Sequence, residues 1–404
     1  MKKQSVAASR RSFLKTGMVG AAGAVLVPGI VQGAGDTEQA PPGRKRIFRT
    51  LGRTGIRIPL VSMGAQAQDP AVYSAALDNG VTHLDTANSY GRGRHEEMLA
   101  GVIKGRKRDS LIIATKVHMP IDHKTGLFIT PGKPAVLRQR VEESLKRLQL
   151  EYVDILYLHD VVKGEAVAFE PYMNELVKLR REGKTRFIGI TTHTREPEVI
   201  RATVAAKVYD VVLTAYNFRQ PHRAEVQSAI AAAASAGLGV VAMKTQAGVF
   251  WDQQRKQPIN MGAALKWVLN DTNVHTAIPG FSTFAEMETD LGVMRDLALS
   301  AAEEADLRLK DAAGLPGLYC DQCGGCLAQC ADAPDIPTLM RAYMYAYGYR
   351  NAAKARQTLE GVVPGRLACT DCESCRVRCT MGFDLKERIL AAARLAAVPF
   401  EMLV

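Results

Sequence analysis

The sequence predicts an α/β chain: a (β/α)8 TIM barrel over residues 47–309, then a small, mostly helical extension over 310–404. Three observations predict it. Eight short runs rich in β-branched residues recur between Ile58 and Gly280. Longer amphipathic runs separate them, the alternation expected of parallel strands joined by helices. All eight cysteines come after that alternation has ended, in two copies of one spacing.

Size and composition permit this plan. The chain has 404 residues, 47% hydrophobic and 23% charged, enough for one large core and a smaller unit. The net charge is +11, and Lys2, Lys3, Arg10, Arg11 and Lys15 concentrate part of it at the N-terminus, with no acid among them. No recognition helix, finger or RNA-binding signature accompanies the charge, so nucleic acid is not an expected partner.

The first element is an address. A basic start is followed by a Gly/Ala-rich apolar stretch from about Thr16 to Val31, and small residues near Gly33 and Ala34 suit cleavage. The stretch is too short and too glycine-rich for a membrane span. Ser9-Arg10-Arg11-Ser12-Phe13-Leu14-Lys15 resembles the twin-arginine export signal of bacteria. Residues 1–34 are expected to be that signal and 35–46 a linker. The export machinery is then a partner, and the mature protein is expected in the periplasm or otherwise outside the cytoplasm. That route carries folded proteins with cofactors already installed.

A short hairpin is expected at IFRTLGRTGIRI (47–58), with turn chemistry at Arg53-Thr54-Gly55. The candidate strands are 58–64, 81–87, 110–116, 153–159, 185–191, 210–216, 239–245 and 274–280. Between them, 134–150 carries Val141, Leu145 and Leu148 at helical spacing, and 168–183 ends in Gly183, a plausible C-cap.

Barrel sites form at the C-terminal ends of the strands, and polar residues close several of these apolar runs. Strand two ends in Asp85, with Tyr90 just beyond; strand three ends in Lys116 and strand four in His159. One chemistry links them. Reducing a carbonyl leaves an oxyanion that needs a proton. A tyrosine can supply it if its pKa, ordinarily about 10, falls. A nearby ammonium lowers that pKa, a buried carboxylate holds the lysine, and a histidine orients the carbonyl.

The stretches GVTHLDTANSYG, LIIATK and ILYLHD resemble those of the aldo-keto reductase family, as do IGITTHT, TAYN, GLGVVAMKT and AALKWVL…AIPG. The resemblance runs from about Ile47 to Leu309. It implies a TIM barrel, a small carbonyl or alcohol substrate and an NAD(P)(H) cofactor. It assigns the catalytic roles to Tyr90, Lys116, Asp85 and His159. It also implies that Tyr216 stacks on the nicotinamide, that Thr191 and Thr192 lie near the carboxamide, and that Ser282, Thr283, Glu286 and Asp290 meet the rest of the dinucleotide. The chain departs from the family pattern at Thr191-Thr192, at Leu213 and over 279–291, where no basic residue awaits a 2′-phosphate.

The extension carries Cys320, Cys323, Cys326 and Cys330, then Cys369, Cys372, Cys375 and Cys379. Each set reads C-x2-C-x2-C-x3-C, the spacing of bacterial two-cluster ferredoxins, in which the fourth cysteine serves the other cluster. Two [4Fe–4S] clusters are expected. One would use Cys320, Cys323, Cys326 and Cys379; the other Cys369, Cys372, Cys375 and Cys330. Disulfides and zinc are the alternatives. The ferredoxin proline after the fourth cysteine is replaced by Ala331 and Thr380, and a long, tyrosine-rich linker (336–359) separates the sets. The tyrosines would pack against the barrel or line a partner surface.

The reading is an exported oxidoreductase whose clusters relay electrons to or from a redox protein or membrane electron carrier. The alternative is a non-catalytic electron-transfer or cofactor-binding subunit with structural clusters.

Overall fold

The computed structural model of the protein describes residues 46–122, 124–308, 317–360, 362 and 368–403, all within the unit Lys45–Val404. The expected signal and linker lie outside the described residues, apart from Arg46.

Strands β1 (Phe48–Thr50) and β2 (Arg57–Pro59) form the expected antiparallel ribbon. Its turn closes on Gly55, whose φ of 71° suits glycine. Seven parallel strands follow: β3 (His83–Asp85), β4 (Ile112–His118), β5 (Val153–His159), β6 (Thr185–Thr192), β7 (Val211–Ala215), β8 (Gly239–Met243) and β9 (Thr276–Ala277). They hydrogen-bond in chain order from β3 to β9, with helices on the connections.

This corrects the expected closed (β/α)8 TIM barrel. The sheet has seven strands and is open, with β3 and β9 as its edges. The run expected as the first parallel strand, 58–64, is divided. Its start is used in β2, paired with β1. Its remainder touches the two edges only through isolated bridges, Val61 to Ala277 and Met63 to Leu84. The physical reason is length: β9 has two residues and β3 three, too few to hold a ladder on both sides of that segment.

Alternation along the strands sorts the core. Ile113, Leu156, Ile188, Ile190, Val212 and Val240 face the helices. Ile112, Ala114, Ile155, Tyr157, Val211, Leu213 and Val241 face the other way, where Leu51, Ile56 and Ile58 of the ribbon cover their lower end. Gly189 belongs to this inner face: a Cβ there would stand 2.7 Å from the ring of Tyr157, so the glycine makes room for the tyrosine.

The extension has its own core. Helices Ile336–Tyr343, Ala352–Thr358 and Leu385–Ala396 start on Asp335, Asn351 and Asp384, each side chain accepting a backbone N–H of the first turn. Their apolar faces meet through Leu339, Met340, Leu359, Phe383, Leu385 and Ile389, and six of the cysteines pack against this cluster.

Candidate active site and cysteine centre

The period of two that builds the inner face also positions the polar groups. His83 and Asp85 share a side of β3; Ile112, Ala114 and Lys116 share one of β4; Ile155, Tyr157 and His159 share one of β5. The apolar positions lie low and the polar ones at the C-terminal end. There Lys116 Nζ bonds Asp85 Oδ1 and donates to the carbonyl of Thr86 at 2.7 Å, with both charged side chains 2% exposed. The ammonium lies 5.1 Å from the Tyr90 ring centre, and the rings of Tyr90 and His159 meet edge-on at 5.8 Å. His159 Nδ1 and Asp85 Oδ2 are buried and have no protein hydrogen-bond partner among the described residues. The structure therefore brings Asp85, Lys116, Tyr90 and His159 together.

The electrostatics differ from the expectation. Burial first, then Asp85 and Tyr345, hold the Tyr90 phenol well above its usual range, and Arg341 only opposes this. Lys116 is neutralised by its own carboxylate, so it does not acidify the phenol. Burial likewise lowers His159 well below the usual histidine range. At neutral pH the site holds a protonated phenol and a neutral imidazole.

The extension covers this mouth. Lys354 Nζ stands 3.6 Å over the Tyr90 ring. Tyr345 lies on a single π-helical turn, Met344–Gly348, and accepts a bond from Lys244 Nζ beyond β8. Its phenol is pushed up by burial but ends below the usual value, because Lys244, Arg341 and Lys116 surround it. Arg341 Nη1 lies 3.1 and 3.2 Å from the two ring nitrogens of His193 and can donate to only one of them, which requires a neutral imidazole. Burial agrees, lowering His193 to about 3. Gln357 and Glu360 hold the loop after Tyr90 from outside: Gln357 packs on Gly91, and Glu360 pairs with Arg92 at 3.4 Å.

Tyr90, Asp85, Lys244, Tyr345 and Lys354 line a cavity of about 80 Å³. Lys244 also lines a small gap shared with Arg341, His193 and Cys320. Arg341 in turn lines a surface groove of about 640 Å³ that reaches Asp160, Arg195 and Cys323. Neighbouring spaces thus share lining side chains in series from the groove to Tyr90.

The expected dinucleotide contacts are not assembled. Tyr216 lies one position beyond the inner-facing Ala215, so its ring turns outward, 5.0 Å from that of Trp267. Thr191 holds the backbone of Asp160 at 2.9 Å, and Thr192 bonds the carbonyl of Thr194. The N–H groups of Ser282 and Thr283 donate to Glu286, and Thr283 and Glu286 form a capping box on helix Phe284–Val293. Asp290 is buried against Gln246 at 3.0 Å. Across the cleft these residues would border, Asn351 Nδ2 of the extension donates to the carbonyl of Gln66 at 2.8 Å. A Cβ on Gly348 would stand 2.8 Å from the Gly248 carbonyl oxygen, a backbone contact that leaves no gap. Small-molecule pockets usually run to about 300–1,000 Å³. A nicotinamide dinucleotide does not fit the site in this arrangement.

The cysteines fit their expected cofactor better. One cavity is lined by Cys320, Cys323, Cys326 and Cys379. Cys369 lies within electrostatic reach of Cys372, Cys375 and Cys330. These are the two crossed sets. All eight are free thiols. Among the described residues no three His, Cys, Asp or Glu side chains could hold a single metal ion. A four-iron cube spreads its thiolates around a larger body, so the fit favours a cluster over zinc. Burial pushes the Cys320 thiol up to about 12, a cost that a cationic metal centre would offset.

Lys244, Arg341, Tyr345 and Lys354 were not singled out by the sequence reading. The tyrosine-rich linker was the available signal: its packing against the sheet domain is the alternative realised. His193 is buried, and His118 lies 6.1 Å ring to ring from His159.

Comparison with known proteins agrees with this division. The sequence model of the Aldo/keto reductase family matches residues 65–263, and that of a 4Fe-4S dicluster domain matches 319–384. L-galactose dehydrogenase of Arabidopsis thaliana is 36% identical over 161 residues, 36% of this chain and 48% of its own length. L-glyceraldehyde 3-phosphate reductase of Escherichia coli K12 is 33% identical over 163 residues, 37% of this chain and 46% of its own. The chain thus spans about half the length of the curated relatives it matches. The holo form of an aldo-keto reductase from Bacillus halodurans superposes with a TM-score of 0.55 at 21% identity, over 66% of this chain and 96% of that one, a likeness of fold.

Proposed function

From a chain that carries an aldo-keto reductase domain followed by a separate 4Fe–4S dicluster domain, we propose an oxidoreductase that interconverts a small carbonyl compound and its alcohol. The observation that carries this reading is the convergence of Tyr90, Lys116, Asp85 and His159 at the C-terminal ends of neighbouring strands. Carbonyl reduction needs a hydride equivalent at carbon and a proton at oxygen, and the residues of this site account for the proton. His159 orients the carbonyl oxygen, and Tyr90, protonated at rest, donates to it. The Lys116–Asp85 pair holds its ammonium beside the phenol with the charge offset by the carboxylate, so it positions Tyr90 without acidifying it. In the oxidative direction the Tyr90 phenolate accepts the proton. Bound clusters would supply or remove electrons singly, and a cluster held by Cys320, which lines the gap shared with Lys244, would stand beside the site. A redox protein or membrane carrier completes the circuit. Export by the twin-arginine route belongs to the same proposal and is supported by Arg10-Arg11 and the apolar run after them.

The test is protein purified without oxygen. About eight irons and about eight sulfides per chain are expected. Turnover on a panel of aldehydes, ketones and sugars with a one-electron mediator should fall about 10²–10⁴-fold in Tyr90→Phe, with iron content unchanged. A panel without turnover, or a Tyr90→Phe protein as active as its parent, would leave the alternative of a non-catalytic electron-transfer subunit. The covered mouth is the one observation favouring that alternative. Replacing Arg10 and Arg11 by lysine should leave the precursor in the cytoplasm.

A further inference from the structure

The cavity beside Tyr90 carries more positive charge than its own acids balance. Lys354 is 6% exposed and lines it, as does Lys244. Lys116 lies behind Tyr90, and Arg341 lines the adjoining gap. Asp85 is bonded to Lys116 through one oxygen, and its field alone reaches Lys354 without a direct pair. Asp160 faces the other side, 3.4 Å from His193 and 3.9 Å from Arg341. The ammonium of Lys354 is therefore left to the face of an aromatic ring, and that of Lys244 to a phenol oxygen. Neither partner is a carboxylate. A cation–π contact contributes far less than burying an ammonium costs. Such a charge is kept where something bound returns the balance.

The position of that charge is also specific. Lys354 is held on helix Ala352–Thr358 by the Asn351 cap, and the same Asn351 ties the helix to Gln66 at the cavity rim. Tyr345 is carried inward by a π-helical turn, a feature frequent at functional sites. The ammonium and the phenol that would protonate a carbonyl therefore face one small space. A carboxylate next to a carbonyl would meet both at once.

We propose that this site takes a small carbonyl compound bearing a carboxylate, a 2-oxo acid or its 2-hydroxy counterpart, and that Lys354 and Lys244 are the specificity-determining residues that pair with its acid group. The inference rests on the proposed site, but it concerns binding and not turnover. It also gives the extension a role there: it closes the space to a dinucleotide and supplies the cation that selects the substrate. Repulsion agrees with this assignment. Burial, and then Lys244, Lys116 and Arg341, hold Lys354 well below the usual lysine range against an opposing pull from Asp85, and an anion between them would relieve it.

The test is calorimetric titration of the intact, cluster-loaded chain with pyruvate, and with acetone as its neutral counterpart of similar shape. Pyruvate is expected to bind once per chain and at least tenfold more tightly than acetone. Lys354→Met should remove most of that difference. Equal affinity for the two in the parent protein would overturn the proposal without any variant. So would pyruvate binding at several weak sites, or binding that Lys354→Met does not alter. Tight pyruvate binding without turnover would sink the proposed reaction and leave this inference standing; turnover of neutral carbonyls alone would do the reverse.

Discussion

The Asp85–Lys116 pair offers the sharpest test of how the site is held. Both side chains are 2% exposed, and besides Asp85 the ammonium has the carbonyl of Thr86 at 2.7 Å. Asp85→Asn removes the charge but keeps the shape, and it strands an ammonium in a dry interior. Breaking a buried pair from one side typically costs about 3–5 kcal/mol. Lys116→Met strands the carboxylate instead, with a similar cost. The double variant leaves neither charge, so it should cost about as much as one single change. The coupling then comes to about 3–5 kcal/mol, the size of one single change and at or above the upper end expected of residues in contact. Both tryptophans, Trp251 and Trp267, lie in the sheet domain, so their fluorescence during urea unfolding reports on that domain. Midpoints of the single variants should fall by roughly 1–2 M. Single changes costing less than about 0.5 kcal/mol, or a double variant costing the full sum, would refute a buried ion pair here.

Two further outcomes follow from the geometry. Cys379→Ser should abolish the spectroscopic signature of the cluster that Cys320, Cys323 and Cys326 would hold, and Cys330→Ser that of the other; paired electron paramagnetic resonance spectra of the reduced variants check the crossing. His83 is fully buried and lowered to about 3, first by burial, so the folded protein binds its proton far less readily than the unfolded chain. Its contribution is complete above an unfolded pKa of about 6.5 and is lost as pH falls toward about 3. From about pH 7 to about pH 5 the loss should be about 2 kcal/mol, less in His83→Gln, as read by urea unfolding at both values.

Sequence pattern revealed what strand alternation encodes. Asp85, Lys116 and His159 fall on the same parity as the inner apolar residues of their strands, so their convergence was legible without coordinates. The same rule, carried one residue past β7, turns Tyr216 outward, where family resemblance alone had placed it on a cofactor. The eighth strand misled because 58–64 is apolar enough for a parallel strand, while its neighbours are too short to pair with it along its length. The roles of Lys354 and Tyr345 were not legible. They depend on how a distant helix seats on the mouth, and no local period records that docking. The two cysteine runs were legible from their spacing, while the crossing of the fourth ligand was only what the resemblance to two-cluster ferredoxins implies.

That crossing has a bearing on biogenesis. Each metal centre would draw one thiolate from the opposite run, so neither could close until Cys379 or Cys375 has left the ribosome. The segment between the runs also carries Tyr345 and Lys354, so loading the metals would lock the lid of the pocket in the same event. A chain halted before Cys369 would lack both centres and a fixed pocket wall, and quality control could detect the single defect of an unfilled tail.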